Sequence, residues 1–422
     1  MDYKKRIADT LLERKLQGKG AVLIEGPKWC GKTTTARQLA KSVLDLGDTD
    51  VFNQSERMIA LSASLLLEGA TPRLIDEWQT LPALWDSIRT EVDRRSAFSQ
   101  FILTGSAVPP EERTRHSGTG RVGRLRMRPM SLWESGESDG RVSLSALFDG
   151  GLVEALRCEN DLEQLAFLIC RGGWPQATFL SGDVALDQAV DYYTAVTDTD
   201  IRRVDDVKRS PERARVFLRS YARNIAARTP YSTMRSDMLQ HDSVALNEDT
   251  VIDYAAALRR IFVIEDSEAW NPNLRSKTAI RTSDTRYFVD PSIAVAALGV
   301  GPKDLINDLN TFGLLFENLV VRDLRVYADA LNGQLYHFRD ANGLECDAVL
   351  HRRDGSYGLI EIKLGGTDDI DAGAATLKKL ADNIDTTRMK APAFKMVVIG
   401  VGSYAYRRDD GVNVIPVSLL KP

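Results

Sequence analysis

The chain has 422 residues, 43% of them hydrophobic and 27% charged, with a net charge of −4 at pH 7. That size makes two or three domains the natural expectation, and the composition is that of a globular protein, not a disordered or fibrous one. The acidic balance excludes a molecule that is basic overall, so any contact with nucleic acid needs a local positive patch.

Four scattered cysteines (Cys30, Cys158, Cys170, Cys346) form no C-x-x-C pair, and none of the four histidines sits in an H-E-x-x-H pattern. These counts disfavour a disulfide framework, a zinc ribbon and a His-rich metal site, and a reducing cytoplasm is expected. The opening segment MDYKKRIADTLLERKL is charged and helical in spacing, unlike a signal peptide. No apolar run approaches the roughly 18–20 residues that span a bilayer, so no membrane contact is expected.

The segment AVLIEGPKWCGKTTTARQLA carries the strongest signal. Ala21 to Glu25 reads as a short buried parallel strand, and Ala36, Leu39, Ala40 and Val43 mark a helix face beyond it. Between them lies G-x-x-x-x-G-K-T. Such glycines let backbone N–H groups wrap a phosphate at a helix N-terminus. Gly26, Pro27, Lys28, Trp29, Cys30, Gly31, Lys32, Thr33 and Thr34 are therefore the expected ATP-binding residues. Lys32 is placed on the β- and γ-phosphates and Thr33 on Mg²⁺.

In TPRLIDEWQTLP, Leu74 and Ile75 end a second strand. Asp76 is the candidate for the Mg²⁺ shell, and Glu77 the candidate to orient or deprotonate the attacking water. A third apolar run, Phe101 to Leu103, ends in Thr104, Gly105 and Ser106. Thr104 and Ser106 compete for a contact to the γ-phosphate or the water. The stretch RTRHSGTGRVGRLRMRP then collects Arg113, Arg115, Arg121, Arg124, Arg126 and Arg128. Three readings stand: an arginine finger, a nucleic-acid patch, or solvated arginines on a strand where Leu125 and Met127 alternate with them.

From about residue 150 to 285 helical spacing dominates. One helix is stopped by Gly172, Gly173 and Pro175, and another starts at the Ser-Pro of SPERARVFLRSYARNIAART. The next segment reads as helix, turn, helix and β-hairpin, with Asn247 or Asp249 as a cap. This is a winged-helix-like pattern. Arg259 and Arg260 lie at the wrong end of its second helix for base reading, and Glu248, Asp249 and Asp253 near the start repel phosphate. Lys277, Arg281 and Arg286 leave room for phosphate contact near the hairpin.

In the last third, TFGLLFENLVVRDLRVYADAL is a helix with Phe312, Phe316, Leu319, Val320 and Leu324 buried and Glu317 just off that stripe. QLYHF is a strand, Asn342-Gly343 a turn, and LECDAVLHR the return strand. YGLIEIKLG, a helix and FKMVVIGVG complete the order α-β-β-β-α-β. Glu345 and Asp347 share one strand face, and Glu361 and Lys363 another. Phosphodiester hydrolysis needs carboxylates around Mg²⁺ and a cation for developing charge. Asp347 and Glu361 are the candidate ligands, Lys363 positions water or stabilises charge, and Glu345 is a spare acid. An E-x-K triplet alone is expected about once by chance in such a chain, and such pairs also occur as surface ion pairs.

The order LIEGPKWCGKTT, LIDEWQ, FILTGSA, GTGRVGRLRMRPMSLWE resembles a large group of prokaryotic AAA-superfamily ATPases. Their C-terminal half is a domain of unknown function related to the PD-(D/E)xK restriction-endonuclease-like fold. The resemblance continues through RGGWPQA, YFVDPSIA, FGLLFENLV and ECDAVL to GLIEIKLG, and so covers most of the chain. It implies an α/β protein with an AAA-type P-loop parallel-sheet domain over 1–145 and a helical, winged-helix-like region over 146–285. A nuclease-like domain is implied over 286–422, in which Glu317 matches an extra helix acid of some members, making it a third metal ligand. The resemblance also makes Arg121 the first finger candidate and Arg124 the second. Three functions are expected: an ATPase with a Mg-dependent nuclease acting on DNA or RNA, an ATP-gated switch docking a protein partner, or a winged-helix DNA-binding regulator. AAA ATPases often form homo-oligomeric rings.

Overall fold

A computed structural model describes residues 2–106, 118–205, 207–239, 247–275 and 278–422. Arg113, Arg115 and Lys277 lie outside these residues. By compactness the chain forms two units that do not follow boundaries at 145 and 285. The first is Met1–Pro129 with Asp198–Pro211 and Ala256–Val263; the second is Met130–Thr197, Glu212–Ala255 and Ile264–Pro422.

The first unit holds α1 (Ile7–Leu16), β1 (Ala21–Glu25), α2 (Lys32–Leu39), β2 (Ser42–Asp45), α3 (Thr49–Leu66), β3 (Arg73–Asp76), α4 (Leu84–Arg95), β4 (Phe101–Gly105) and β5 (Val122–Arg126). The sheet is parallel throughout, in the order β2-β3-β4-β1-β5. Its central strands are continuous apolar runs, as burial on both faces demands. Leu23, Ile75, Trp78, Trp85, Ile88, Phe101 and Leu103 form the core. Parallel strands align their carboxyl ends on one edge, the usual ligand edge of such sheets.

The second unit begins with α5 (Leu132–Ser135), β6 (Val142–Ser143), α6 (Leu144–Phe148), β7 (Leu156–Arg157) and α7 (Leu162–Arg171). Helices α8 (Gly182–Asp198), α9 (Pro211–Arg223), α10 (Tyr231–Leu239) and α11 (Glu248–Arg260) follow, the last of these capped by Asn247 through the Thr250 N–H at 2.8 Å. Then come α12 (Pro291–Leu298), α13 (Pro302–Asn307), α14 (Leu309–Ala330), β8 (Gly333–Arg339), β9 (Glu345–Arg352), β10 (Tyr357–Lys363), α15 (Thr367–Asn383), β11 (Phe394–Ile399), β12 (Tyr404–Arg407), β13 (Asn413–Pro416) and β14 (Leu420–Lys421). A mixed seven-stranded sheet runs β7-β12-β13-β11-β10-β9-β8. Phe338, Val349, Tyr357, Leu359, Leu377 and Val397 are among the residues of its core.

The stretch after α11 differs from the expected hairpin. Ile264–Phe288 and Ser267–Thr285 pair antiparallel, but between them the chain leaves its own return limb for the free edge of β8. Trp270 N donates to His337 O at 2.6 Å, and Arg281 N to Arg339 O at 2.8 Å. A register shift in β8 between Tyr336 and Phe338 frees the His337 backbone for this pairing. An edge strand that would otherwise present unpaired groups is thereby covered.

A buried polar node organises the helices of this unit. Arg322, 1% exposed, pairs with Asp290 at 2.9 Å and Asp323 at 2.7 Å. Asp290 also accepts from Gly173 N, and Asp323 from Leu132 N. A Cβ at Gly173 would stand 2.1 Å from the Met130 carbonyl, so only glycine fits there.

Candidate functional site

Two glycines fix the path of the loop after β1. Gly26 passes so close to β5 that a Cβ would lie 2.0 Å from the Met127 carbonyl, and Gly31 (φ +98°) opens α2 in the left-handed region. Lys32 Nζ rests on the carbonyls of Gly26 at 3.0 Å and Pro27 at 2.7 Å. Arg6, which the sequence did not single out, braces the loop from α1: its guanidinium donates to Cys30 O at 2.9 Å and Arg128 O at 2.8 Å. Cys30 is fully buried, Trp29 is largely exposed, and Lys28 is paired with Asp200 at 2.6 Å. Thr34 lies in the first turn of α2, its carbonyl accepting from Gln38.

Three strand ends meet beside this loop because β4 separates β1 from β3. Asp76, buried, accepts on one carboxylate oxygen from Thr33 Oγ1 at 2.8 Å and from Thr104 Oγ1. Hydroxyl and carboxylate oxygens so placed fit a hard divalent cation. Glu77 turns out of β3 at φ +54°; Gln79 Nε2 donates to its carboxylate, and Ser106 Oγ lies 3.5 Å away. Thr104 and Ser106 thus take different partners, Asp76 and Glu77. Gln79 was missed because nothing in its spacing marks it.

The arginines separate by register. Val122 is level with Ala21 and Arg126 with Glu25, so Arg121 stands at the end of the sheet opposite the loop. Five residues of strand put it about 17 Å from the loop end. Its guanidinium is bound to Asp93 at 2.7 Å. Arg124 is level with Leu23 and pairs with Glu25 at 3.0 Å.

In the second unit, β9 and β10 pair as far as Ala348 and Ile360. Beyond that the Ile362 N–H goes to the Asp347 carboxylate at 2.8 Å. Asp347 and Glu361 therefore face each other where the strands part. Lys363 Nζ bridges them, 3.2 Å from Asp347 and 2.8 Å from Glu361. Burial, reinforced by the Asp347 charge, pushes the Glu361 carboxyl up to about 8, with Lys363 opposing. Burial works against charge on Lys363 too, but the two carboxylates outweigh it and raise its pKa. Glu317 is half-buried and near Asp347, its carboxyl is pushed well up by desolvation and that charge, and it accepts from the Tyr287 hydroxyl at 2.5 Å. Glu345 is tied to Arg228 at 2.7 Å and Arg339 at 3.0 Å. These side chains, without Glu317, line a cleft of about 420 Å³ with Asn342, Thr376 and Lys379. The spacing of Asp347, Glu361 and Glu317 makes no closed ligand set: among the described residues no three His, Cys, Asp or Glu side chains are grouped to hold a metal ion.

Residues 18–135 match the AAA domain family. Residues 162–304 and 312–420 match two domains of unknown function, DUF8612 and DUF4143. Uncharacterized proteins of Mycobacterium tuberculosis and Mycobacterium bovis are each 25% identical over 436 positions, covering 99% of this chain and 84% of theirs. Among solved structures, a Walker-type ATPase of Pyrococcus abyssi covers 70% of this chain and 96% of its own at 14% identity, with a TM-score of 0.42. The N-terminal segment is thus an AAA-type P-loop nucleotide-binding domain. The C-terminal match carries no statement of endonuclease fold or activity. Among the described residues no helix is long and apolar enough to cross a membrane.

Proposed function

We propose that the chain binds ATP with Mg²⁺ at the carboxyl edge of the parallel sheet and hydrolyses it. The observation that carries this reading is the hydrogen-bonded row Thr33–Asp76–Thr104 beside the Lys32 loop. Thr33 and Asp76 hold the cation, which screens the phosphate charge. Lys32 leaves its loop carbonyls for the phosphates, and Glu77, oriented by Gln79 and Ser106, positions water for attack. Glu77→Gln should lower ATP turnover at least about a hundredfold while a non-hydrolysable analogue still binds. Turnover at the wild-type rate would remove Glu77 from this role.

Arg121 is too far from its own loop to act there, so its role as a finger is in trans, across a ring of identical chains. The second site is the C-terminal cleft. Asp347, Glu361 and Lys363 have the donor chemistry for Mg-dependent cleavage of DNA or RNA, and Glu361 Oε1 is buried without a hydrogen-bond partner, an acceptor left for a ligand. A second reading, in which the cleft only docks a protein partner, is favoured by the way Lys363 closes both carboxylates. A panel of duplex, branched and single-stranded substrates, with Mg²⁺ or Mn²⁺ and with or without ATP, separates the two. Nicking that Asp347→Ala abolishes supports cleavage; no nicking of any substrate supports docking.

A further inference from the structure

Two stretches of chain enter the first unit from helices that otherwise belong to the second: Asp198–Pro211, between α8 and α9, and Ala256–Val263, at the end of α11. Both reach the nucleotide end of the parallel sheet. Asp200, in a single 3-10 turn (Asp200–Arg202), is 9% exposed and accepts from Lys28 Nζ at 2.6 Å. Arg126, level with Glu25 where the loop begins, lays its guanidinium 4.2 Å from the centre of the Phe262 ring. Asp205 ties the two stretches together, pairing with Arg209 at 2.7 Å and Arg260 at 3.1 Å.

Lys28 and Lys32 differ in what holds them. Lys32 rests on neutral carbonyls of its own loop. Lys28, third in the G-x-x-x-x-G-K-T loop and 46% exposed, is held by a full carboxylate from outside the loop. A polyphosphate arriving at the loop presents several negative charges to an ammonium that Asp200 holds with one. We propose that Asp200 is a nucleotide-sensing positioning residue: it competes with the polyphosphate of ATP for Lys28 and releases the Asp198–Pro211 stretch when it loses. The proposal rests on the ATP-binding reading. Because that stretch is continuous with α8 and α9, the state of the loop is passed along the chain to both helices.

Asp200→Asn in the full chain removes the charge and keeps the shape. In titrations with a fluorescent non-hydrolysable ATP analogue and Mg²⁺, it should bind about two- to five-fold more tightly than wild type, the range expected for a partly exposed pair. Deuterium uptake by residues 199–205 should rise on analogue binding in wild type. In Asp200→Asn it should be high from the start and insensitive to nucleotide. Asp200→Glu, which keeps the charge, should preserve both the affinity and the nucleotide response. Lys28→Met should bind the analogue less tightly and also lose the response. Equal affinity and an unchanged response in Asp200→Asn overturn the proposal while leaving ATP binding intact. A wild-type protein that binds no analogue refutes the ATP reading, and this proposal with it.

Discussion

Lys363→Met removes the ammonium that Asp347 and Glu361 share while keeping a long apolar stem. The three side chains are 27%, 18% and 5% exposed, and the ammonium lies 3.2 and 2.8 Å from the two acids. Breaking a fully buried pair on one side costs about 3–5 kcal/mol. Partial exposure of Lys363 and Asp347 screens part of that, so about 2 kcal/mol is expected at pH 8. The pH dependence follows from Glu361, whose carboxyl is raised from 4.5 to about 8. A raised carboxyl contributes stability that is full below its unfolded value and is lost as pH rises through its folded one. Without Lys363 the carboxyl rises further still. The deficit of the variant is therefore largest above pH 8 and shrinks toward pH 5, where Glu361 is protonated in both folded proteins. Urea titrations of both proteins at pH 5 and pH 9.5 measure this directly. A deficit as large at pH 5 as at pH 9.5 would show that the two acids do not depend on Lys363 for their charge balance.

Gly26→Ala forces a Cβ to within 2.0 Å of the Met127 carbonyl; it should cost about 1–3 kcal/mol in stability and abolish analogue binding, both read in one thermal-shift series with and without nucleotide. Arg322→Met leaves Asp290 and Asp323 buried without their cation and should cost about 3–5 kcal/mol at neutral pH. Asp323 is pushed up to about 6 by burial even with Arg322 opposing, so this deficit too should shrink as pH falls, and a pH-independent loss would contradict the assignment. Arg121→Ala should leave analogue binding unchanged and lower ATP turnover. Mixing it with Glu77→Gln chains should restore part of the turnover, because a mixed ring has sites with both an intact Glu77 and a neighbour's Arg121; no recovery on mixing would exclude action in trans.

The strand–loop–helix at the carboxyl edge of the first sheet was legible because its signals are local. A five-residue apolar strand, two glycines at fixed spacing and a helix face lie within twenty residues, and Asp76 and Thr104 each end a run of the same kind. The arginines were legible in number but not in place. Whether Arg121 or Arg124 nears the phosphate depends on the pairing of β5 with β1, which fixes each residue to a level along the strand. In the second unit Asp347, Glu361 and Lys363 could be placed on facing strands from the Asn-Gly turn. The Tyr287 hydroxyl that holds Glu317 comes from thirty positions earlier and carries no local mark. The stretch after α11 reads as a hairpin because alternation sees only neighbours; His337, some seventy residues on, competes successfully for its backbone. Lys28 and Asp200, 172 positions apart, are the extreme case.

The first compact unit is assembled from three separate runs of chain, the last ending at Val263. A ribosome that has released Pro129 has delivered every strand of the parallel sheet, yet neither Asp200 nor Phe262 exists. At elongation rates of about 5–20 residues per second, roughly 7–27 seconds separate the two moments. During that interval the loop after β1 is already made while its outer braces are not. The nascent sheet must wait with that edge uncovered, and an expression fragment cut after the last strand would hold it there permanently. Excised pieces should therefore be cut to keep residues through Val263.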